Sequence, residues 1–287
     1  MPSGIIIVDK PVGITSHGVV SRLRKVLGTK KIGHAGTLDP MATGVLILGV
    51  NRATRLLGQL ALKDKSYEAT IRFGASTTTD DAEGELVAVS TAAHLDEGTI
   101  SQALRAYVGV IQQVPSSVSA IKVGGKRAYA LVRAGEQVEL KPREVEISRL
   151  ELLRISHQDD FVDADIRMDC STGTYVRALA RDLGRDLGVG AHLTALRRTR
   201  IGNYGLELAI ALPEPGDEPV MMTMGDAARL SFPVIEVDDA SATEVKYGRP
   251  LALEVPADPT AVLHNNELLA LYQPVGPGNS KPLAVFC

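Results

Sequence analysis

Asp39 stands within GHAGTLDPMATG, residues 33–44. Glycines at 33, 36 and 44 permit tight turns. Pro40 biases Asp39 toward an extended backbone and offers no N–H of its own. A carboxylate on such a loop can project into a cleft, where it is available to chemistry. The same Asp-Pro pair also serves as an ordinary turn whose carboxylate caps backbone. Arg177 lies in the first turn of a helix that the spacing predicts over 174–187. A cation there opposes the helix dipole and calls for a compensating anion. A buried carboxylate such as Asp39 would serve, and the arginine would lower its pKa and keep it ionised at neutral pH. The alternative is an exposed arginine paired with Asp182 or with bare solvent. Tyr67, in KSYEA (65–69), sits on a strand, where a phenol ring either stacks on a base or fills a core.

Several chemistries lack their residues. There is no G-x-x-x-x-G-K-[ST] and no G-x-G-x-x-G, so no nucleotide-phosphate loop is expected. The six histidines form no H-x-H or H-E-x-x-H pair, so no metal site is expected. No G-x-S-x-G marks a serine hydrolase. The two cysteines, Cys170 and Cys287, imply neither a disulfide framework nor a cysteine-based zinc site. No apolar run approaches the roughly 18 residues of a membrane-spanning helix, and the first residues lack a signal-peptide pattern. Cytoplasm is the expected compartment.

The elements that must position these residues can be read from apolar spacing. Gly4–Lys10 and Val45–Val50 read as core strands, and Thr15 or Ser16 caps a helix over about 17–27. Residues 28–44 are rich in Gly, Thr and Pro and predict a loop. Helices are expected over 53–62, 95–107 and 174–187. Strands are expected over 66–74, 145–156, 161–169 and 191–204. On the first of these, Tyr67, Ala69, Ile71 and Phe73 share a face. Long strands separated by single helices favour a mixed or antiparallel sheet with helices packed on it. Residues 212–219 hold three prolines and a glycine and predict a linker, beyond which a small β-rich module has enough length but a thin core.

The 287-residue chain has a formal charge of −3, which conceals a pattern. Residues 1–60 carry eight Lys or Arg against two Asp or Glu. The counts are six against two in both 111–143 and 171–205, whereas 206–287 carries four against twelve. Three basic blocks alternate with acidic ones. Brought together by folding, they would form a positive face able to track a phosphate backbone.

GHAGTLDPMATGVL (33–46) resembles the catalytic loop of the bacterial tRNA pseudouridine synthase B family. IVDKP (7–11), KSYEATIRFG (65–74), QVPSSVSAIKVGGKRAY (113–129), CSTGTYVRALARDLG (170–184) and GAHLTALRRTRIG (190–202) resemble it too, in the same order. The resemblance implies an α+β fold with a pseudouridine-synthase-type mixed, largely antiparallel sheet flanked by helices. It implies a catalytic domain over 1–220, with a basic flap or insertion at about 113–143, and a small β-rich, PUA-type RNA-binding domain over 221–287. The implied activity is isomerisation of a flipped-out uridine in the T loop of tRNA, position 55 in tRNA numbering, with no cofactor and no metal. Asp39 is then the nucleophile, Arg177 the arginine that pairs with it, and Tyr67 the tyrosine that stacks on the base and helps move the C5 proton. His34, Tyr175 and Leu196 resemble substrate-pocket positions, and Lys10 a support of the catalytic loop. Lys30, Lys31, Lys122, Lys126, Arg127, Arg197, Arg198 and Arg200 are the expected RNA-backbone contacts. The expected partner is the tRNA T-arm stem-loop, with no membrane, no obligate protein partner and a monomeric state.

Overall fold

Ile5, Ile6, Ile7 and Val8 are consecutive apolar residues, so a strand made of them must be covered on both faces. The computed structural model shows this, with all four at most 4% exposed. It describes residues 2–116 and 140–287, together with the backbone of Lys122–Val123 and Lys126–Arg127.

The chain opens with β1 (Gly4–Lys10), α1 (Ser16–Val26), β2 (Ile32–Ala35) and β3 (Thr43–Val50), then a 3-10 turn (Asn51–Arg55) and α2 (Leu57–Ala61). Next come β4 (Lys65–Phe73), β5 (Ala75–Thr77), β6 (Leu86–Val89), α3 (Glu97–Arg105) and β7 (Gly109–Gln113). Two short strands, β8 (Lys122–Val123) and β9 (Lys126–Arg127), precede the long β10 (Arg143–Gln158) and β11 (Phe161–Cys170). They are followed by α4 (Val176–Asp186), β12 (Ala191–Ile201), β13 (Tyr204–Gly205), β14 (Ile210–Ala211) and β15 (Met222–Thr223). The chain closes with α5 (Met224–Ser231), β16 (Val234–Glu236), α6 (Asp239–Lys246), β17 (Thr260–His264), β18 (Glu267–Gly276) and β19 (Asn279–Val285). Among the described residues no helix is long and apolar enough to cross a membrane.

By compactness the chain divides into two units. The first comprises Met1–Pro40, Gly44–Leu62 and Ile201–Cys287. In it β1 pairs antiparallel with β3 and parallel with β14, and β2 pairs antiparallel with β3. The two faces of β1 explain its composition. Ile6 and Val8 pack with Val19, Val20 and Leu23 of α1, whose first turn is capped by the Thr15 hydroxyl accepting from Gly18 N. Ile5 and Ile7 pack instead with Ala227 and Ala228 of α5, Ala261 of β17, Leu271 of β18 and Phe286. The C-terminal segment therefore completes a core begun at the N-terminus, which answers the expectation that its own core is thin. It also has a four-stranded sheet in the order β16-β17-β18-β19.

The second unit comprises Met41–Thr43 and Lys63–Arg200. Its strands run in the order β12-β4-β11-β10-β7. The register opposes Tyr67 to Met168, Ala69 to Ile166, Ile71 to Ala164 and Phe73 to Val162, all buried. The other face carries a polar ladder. Arg72 makes two 2.7 Å bonds to Asp163, Thr70 bonds Asp165 at 2.7 Å, and Arg167 bonds Glu68 at 2.8 Å. The two-residue period read from the sequence thus matches the pleat. The architecture is α+β, with a mixed and largely antiparallel sheet.

Three elements depart from the sequence expectation. Within the expected loop 28–44, Ile32–Ala35 pairs with β3, and Gly33 opposes Gly49. Glycine at both positions hides the strand signal. A Cβ at Gly49 would lie 2.8 Å from Ala53 O, so glycine permits the following turn to fold back on the strand. That turn replaces the first half of the helix expected over 53–62. The hairpin β5–β6 was not expected, because its four-residue second strand is exposed throughout and shows no alternation.

Candidate active site

Asp39 lies between β2 and β3, half-buried, and its two neighbours are both held. The Ser16 hydroxyl donates to Leu38 O at 3.0 Å and accepts from Leu38 N at 2.8 Å. Pro40 O accepts from Gly13 N at 2.8 Å and from Lys10 Nζ at 3.3 Å. Lys10 is 0% exposed and also donates to Pro11 O at 2.9 Å and Ile14 O at 2.7 Å. A buried ammonium with several carbonyl acceptors is a satisfied structural cation. Helix α1 and the end of β1 therefore carry the Asp39 loop as one piece. His34 is half-buried on β2, opposite Leu48.

In the second unit, Tyr67 is 7% exposed on β4. Tyr175 caps the N-terminus of α4, and Arg177 follows in its first turn, 5% exposed. Arg177 Nη1 donates to Thr79 O at 2.9 Å and faces Asp81 Oδ2 at 3.3 Å. Asp81 is itself 3% exposed and held from two sides. The Thr79 hydroxyl reaches Asp81 Oδ1 at 2.5 Å, and Glu83 N donates to the same oxygen at 3.1 Å. The anion that the helix dipole argument demanded thus includes Asp81, one of four acidic residues in TTTDDAEGE among which local pattern makes no choice. Asp182, the alternative partner, bonds Arg181 and Arg185 instead. Asp80, one residue before Asp81, has a left-handed backbone, φ 60°, and burial raises its carboxyl above the usual range.

Leu196 and Arg197 lie on β12. Leu196 is 9% exposed, and Arg197 Nη1 donates to Thr43 Oγ1 at 3.3 Å. Arg198 requires a correction: at 1% exposure it is a core cation and cannot reach a phosphate. The two-residue period of a strand turns neighbours to opposite faces, so the RR pair cannot act as one surface cluster. Arg200 is also engaged, with Asp64 at 2.8 Å and the Ser66 hydroxyl at 2.9 Å. Arg198 has a further effect. Burial first, and this guanidinium second, depress Lys65 from its usual 10.5 to about 8. Lys30 and Lys31 are exposed. The side chains of Lys122, Lys126 and Arg127, and most of the expected flap, lie outside the described residues. Among the described residues no cluster of His, Cys, Asp or Glu is arranged to hold a metal ion.

Residues 24–176 match the TruB family pseudouridylate synthase N-terminal domain, and 177–229 match the tRNA pseudouridylate synthase B C-terminal domain. The tRNA pseudouridine synthase B of Cutibacterium acnes (strain DSM 16379 / KPA171202) is 54% identical over 277 residues, covering 96% of this chain and 94% of that protein. That of Thermobifida fusca (strain YX) is 51% identical, covering 100% of this chain and 99% of that protein. Among solved structures, the chain is similar to one in a Cbf5-Nop10-Gar1 complex, with TM-score 0.75, 27% identity, and coverage of 99% of this chain and 85% of that one. Identity of this extent along nearly the whole length places the chain in the TruB family of pseudouridylate synthases, which are isomerases.

Proposed function

We propose that this chain isomerises uridine to pseudouridine in the T loop of tRNA, at position 55, with Asp39 as nucleophile. The observation that carries the reading is the Asp39 loop, clamped on both sides of the carboxylate by Lys10, Gly13 and Ser16. A rigidly presented carboxylate suits covalent catalysis. In the reaction the N1–C1′ bond breaks, a C5–C1′ bond forms, the C5 proton leaves to a base, and N1 takes up a proton in its place. Nothing is added and no electrons change hands, so no cofactor is needed. The carboxylate serves whether it bonds first to C6 of the base or to C1′ of the ribose.

Asp39 belongs to the first unit and Tyr67 and Arg177 to the second, and their meeting in one cleft is part of the proposal. There Arg177 orients Asp39, and Tyr67 stacks on the extruded base and assists loss of its proton. His34, Tyr175 and Leu196 line the pocket. Lys30, Lys31 and Arg197 contact phosphates, recognising a folded loop by shape and splayed bases. The segment 1–220 is the catalytic domain and 221–287 an RNA-binding, PUA-type module. The enzyme acts as a cytoplasmic monomer without a protein or guide-RNA partner.

The test is incubation of the purified chain alone with an unmodified T-arm stem-loop, followed by single-nucleotide mapping of pseudouridine. Modification at the one T-loop uridine is expected. Asp39→Asn is expected to abolish product while leaving RNA affinity within about tenfold. Activity retained in Asp39→Asn, or product only with added partners, refutes the proposal.

A further inference from the structure

The family resemblance picks out 113–129 as a motif, and the chemistry above gives Gln113 no task. It closes β7, at 2% exposure, and its side chain meets the backbone of Tyr175. Gln113 Oε1 accepts from Tyr175 N at 2.8 Å, and Gln113 Nε2 donates to Tyr175 O at 3.1 Å. One primary amide thereby satisfies both backbone groups of one residue, as a neighbouring strand would.

The residue so held is the N-cap of α4, and its side chain makes no capping bond. Its carbonyl also accepts Leu179 N at 3.1 Å, the first turn of the helix that carries Arg177. A second tie follows immediately. Arg181, one turn beyond Arg177, donates through Nη2 to Val114 O at 2.7 Å. The end of β7 thus grips α4 before and after Arg177, while Asp81 and Thr79 O hold the guanidinium itself.

We infer that Gln113 is a positioning residue that sets the backbone of Tyr175, and through it the placement of Tyr175 and Arg177 for the isomerisation. This rests on the function proposed above. Tyr175 N needs an acceptor, and Tyr175 O, which already accepts from Leu179 N, takes a second donor from the amide and would be repelled by an anion in its place.

That repulsion supplies the test. In Gln113→Glu an ionised carboxylate still accepts from Tyr175 N but repels Tyr175 O. A protonated one restores both bonds, and burial favours protonation. At pH 8 we expect kcat to fall about a hundredfold, the scale of an ångström-sized misplacement, with KM for the stem-loop within about threefold. From pH 8 to pH 6 the ratio of Gln113→Glu to wild-type kcat should rise about tenfold or more, as expected when one group gains a proton over two pH decades. Gln113→Ala should be slow with a flat ratio. A parallel measurement needs no activity and covers a Glu variant that does not fold. Amide exchange at Tyr175 should be slow in wild type and at least about tenfold faster in Gln113→Ala. Wild-type kcat in Gln113→Ala, a flat ratio in a folded Gln113→Glu, or unchanged Tyr175 exchange overturns the inference. An inactive wild type overturns the proposed function instead, and the exchange result still decides the role of Gln113.

Discussion

Replacing Lys10 by Met removes the ammonium at the base of the Asp39 loop while keeping the length of the stem. The side chain is fully buried and donates to Pro11 O, Ile14 O and Pro40 O at 2.9, 2.7 and 3.3 Å. Pro40 O keeps its bond from Gly13 N, so Pro11 O and Ile14 O lose most. A buried acceptor stripped of its donor costs about 1–3 kcal/mol. Pro11 is exposed and Ile14 half-buried, so water can reach these carbonyls and each loss lies at the low end, about 2–3 kcal/mol in all. For a chain of this size each kcal/mol moves Tm by about 2 °C, so the shift should be roughly 4–6 °C. The loosened Asp39 should lower kcat for pseudouridine formation about a hundredfold, with little change in RNA affinity. Thermal unfolding and single-turnover assays on purified Lys10→Met measure both. A variant with Tm within 2 °C of wild type and an unchanged kcat would show that the clamp does not hold the loop, since about 2 °C is the effect of only one kcal/mol.

Four further outcomes are expected. Lys30→Ala with Lys31→Ala should flatten the dependence of log affinity on log salt by about one unit per lysine. Arg198→Met should leave that slope unchanged and lower Tm instead, because its side chain is inside; the reverse pattern would restore Arg198 to the RNA face. Lys65, depressed to about 8 by burial, holds its proton less tightly folded than unfolded. Its penalty is complete below pH 8 and is relieved as pH rises from about 8 to 10.5, so stability should rise there relative to Lys65→Met. Cys170, raised to about 11 by burial, acts in the opposite sense, so the comparison is made by chemical unfolding with Cys170→Ala in both chains. A pH-independent difference would count against a buried charged Lys65. In Gly184→Ala the new Cβ would lie 2.1 Å from Ala191 N, a backbone atom that cannot swing aside. A loss of about 3 kcal/mol or more is expected from urea unfolding, and a loss below about 1 kcal/mol would contradict the close packing of α4 on β12.

The regular parts of the fold were legible because burial writes a period into the chain. Tyr67, Ala69, Ile71 and Phe73 alternate, and the sheet places them on one buried face. Val19, Val20 and Leu23 recur at helical spacing and meet β1. Lys10 and Asp39 were legible through the resemblance of their motifs, and the structure supplies the clamp between their segments. What escaped was specified by distant partners. Asp81 and Asp80 are adjacent acids in a polar turn, and only the fold assigns Asp81 to Arg177. Gln113 touches a residue 62 positions away, a distance at which local pattern carries no signal. Arg198 misled because charge composition does not say which way a strand residue points.

The first unit is assembled from both ends of the chain. Ile5 shares a cluster with Phe286, and every residue of the second unit is synthesised between them. A ribosome delivers the early strands long before their cover, so β1 waits with one apolar face open while residues 63–200 emerge and can fold. The wait costs little in chain entropy, since closing a longer loop adds only a logarithmic penalty. It does lengthen the exposure of a face rich in isoleucine to other nascent chains. A translation arrest shortly before Ala227 would release a polypeptide whose middle is folded and whose first strand still shows an adhesive face.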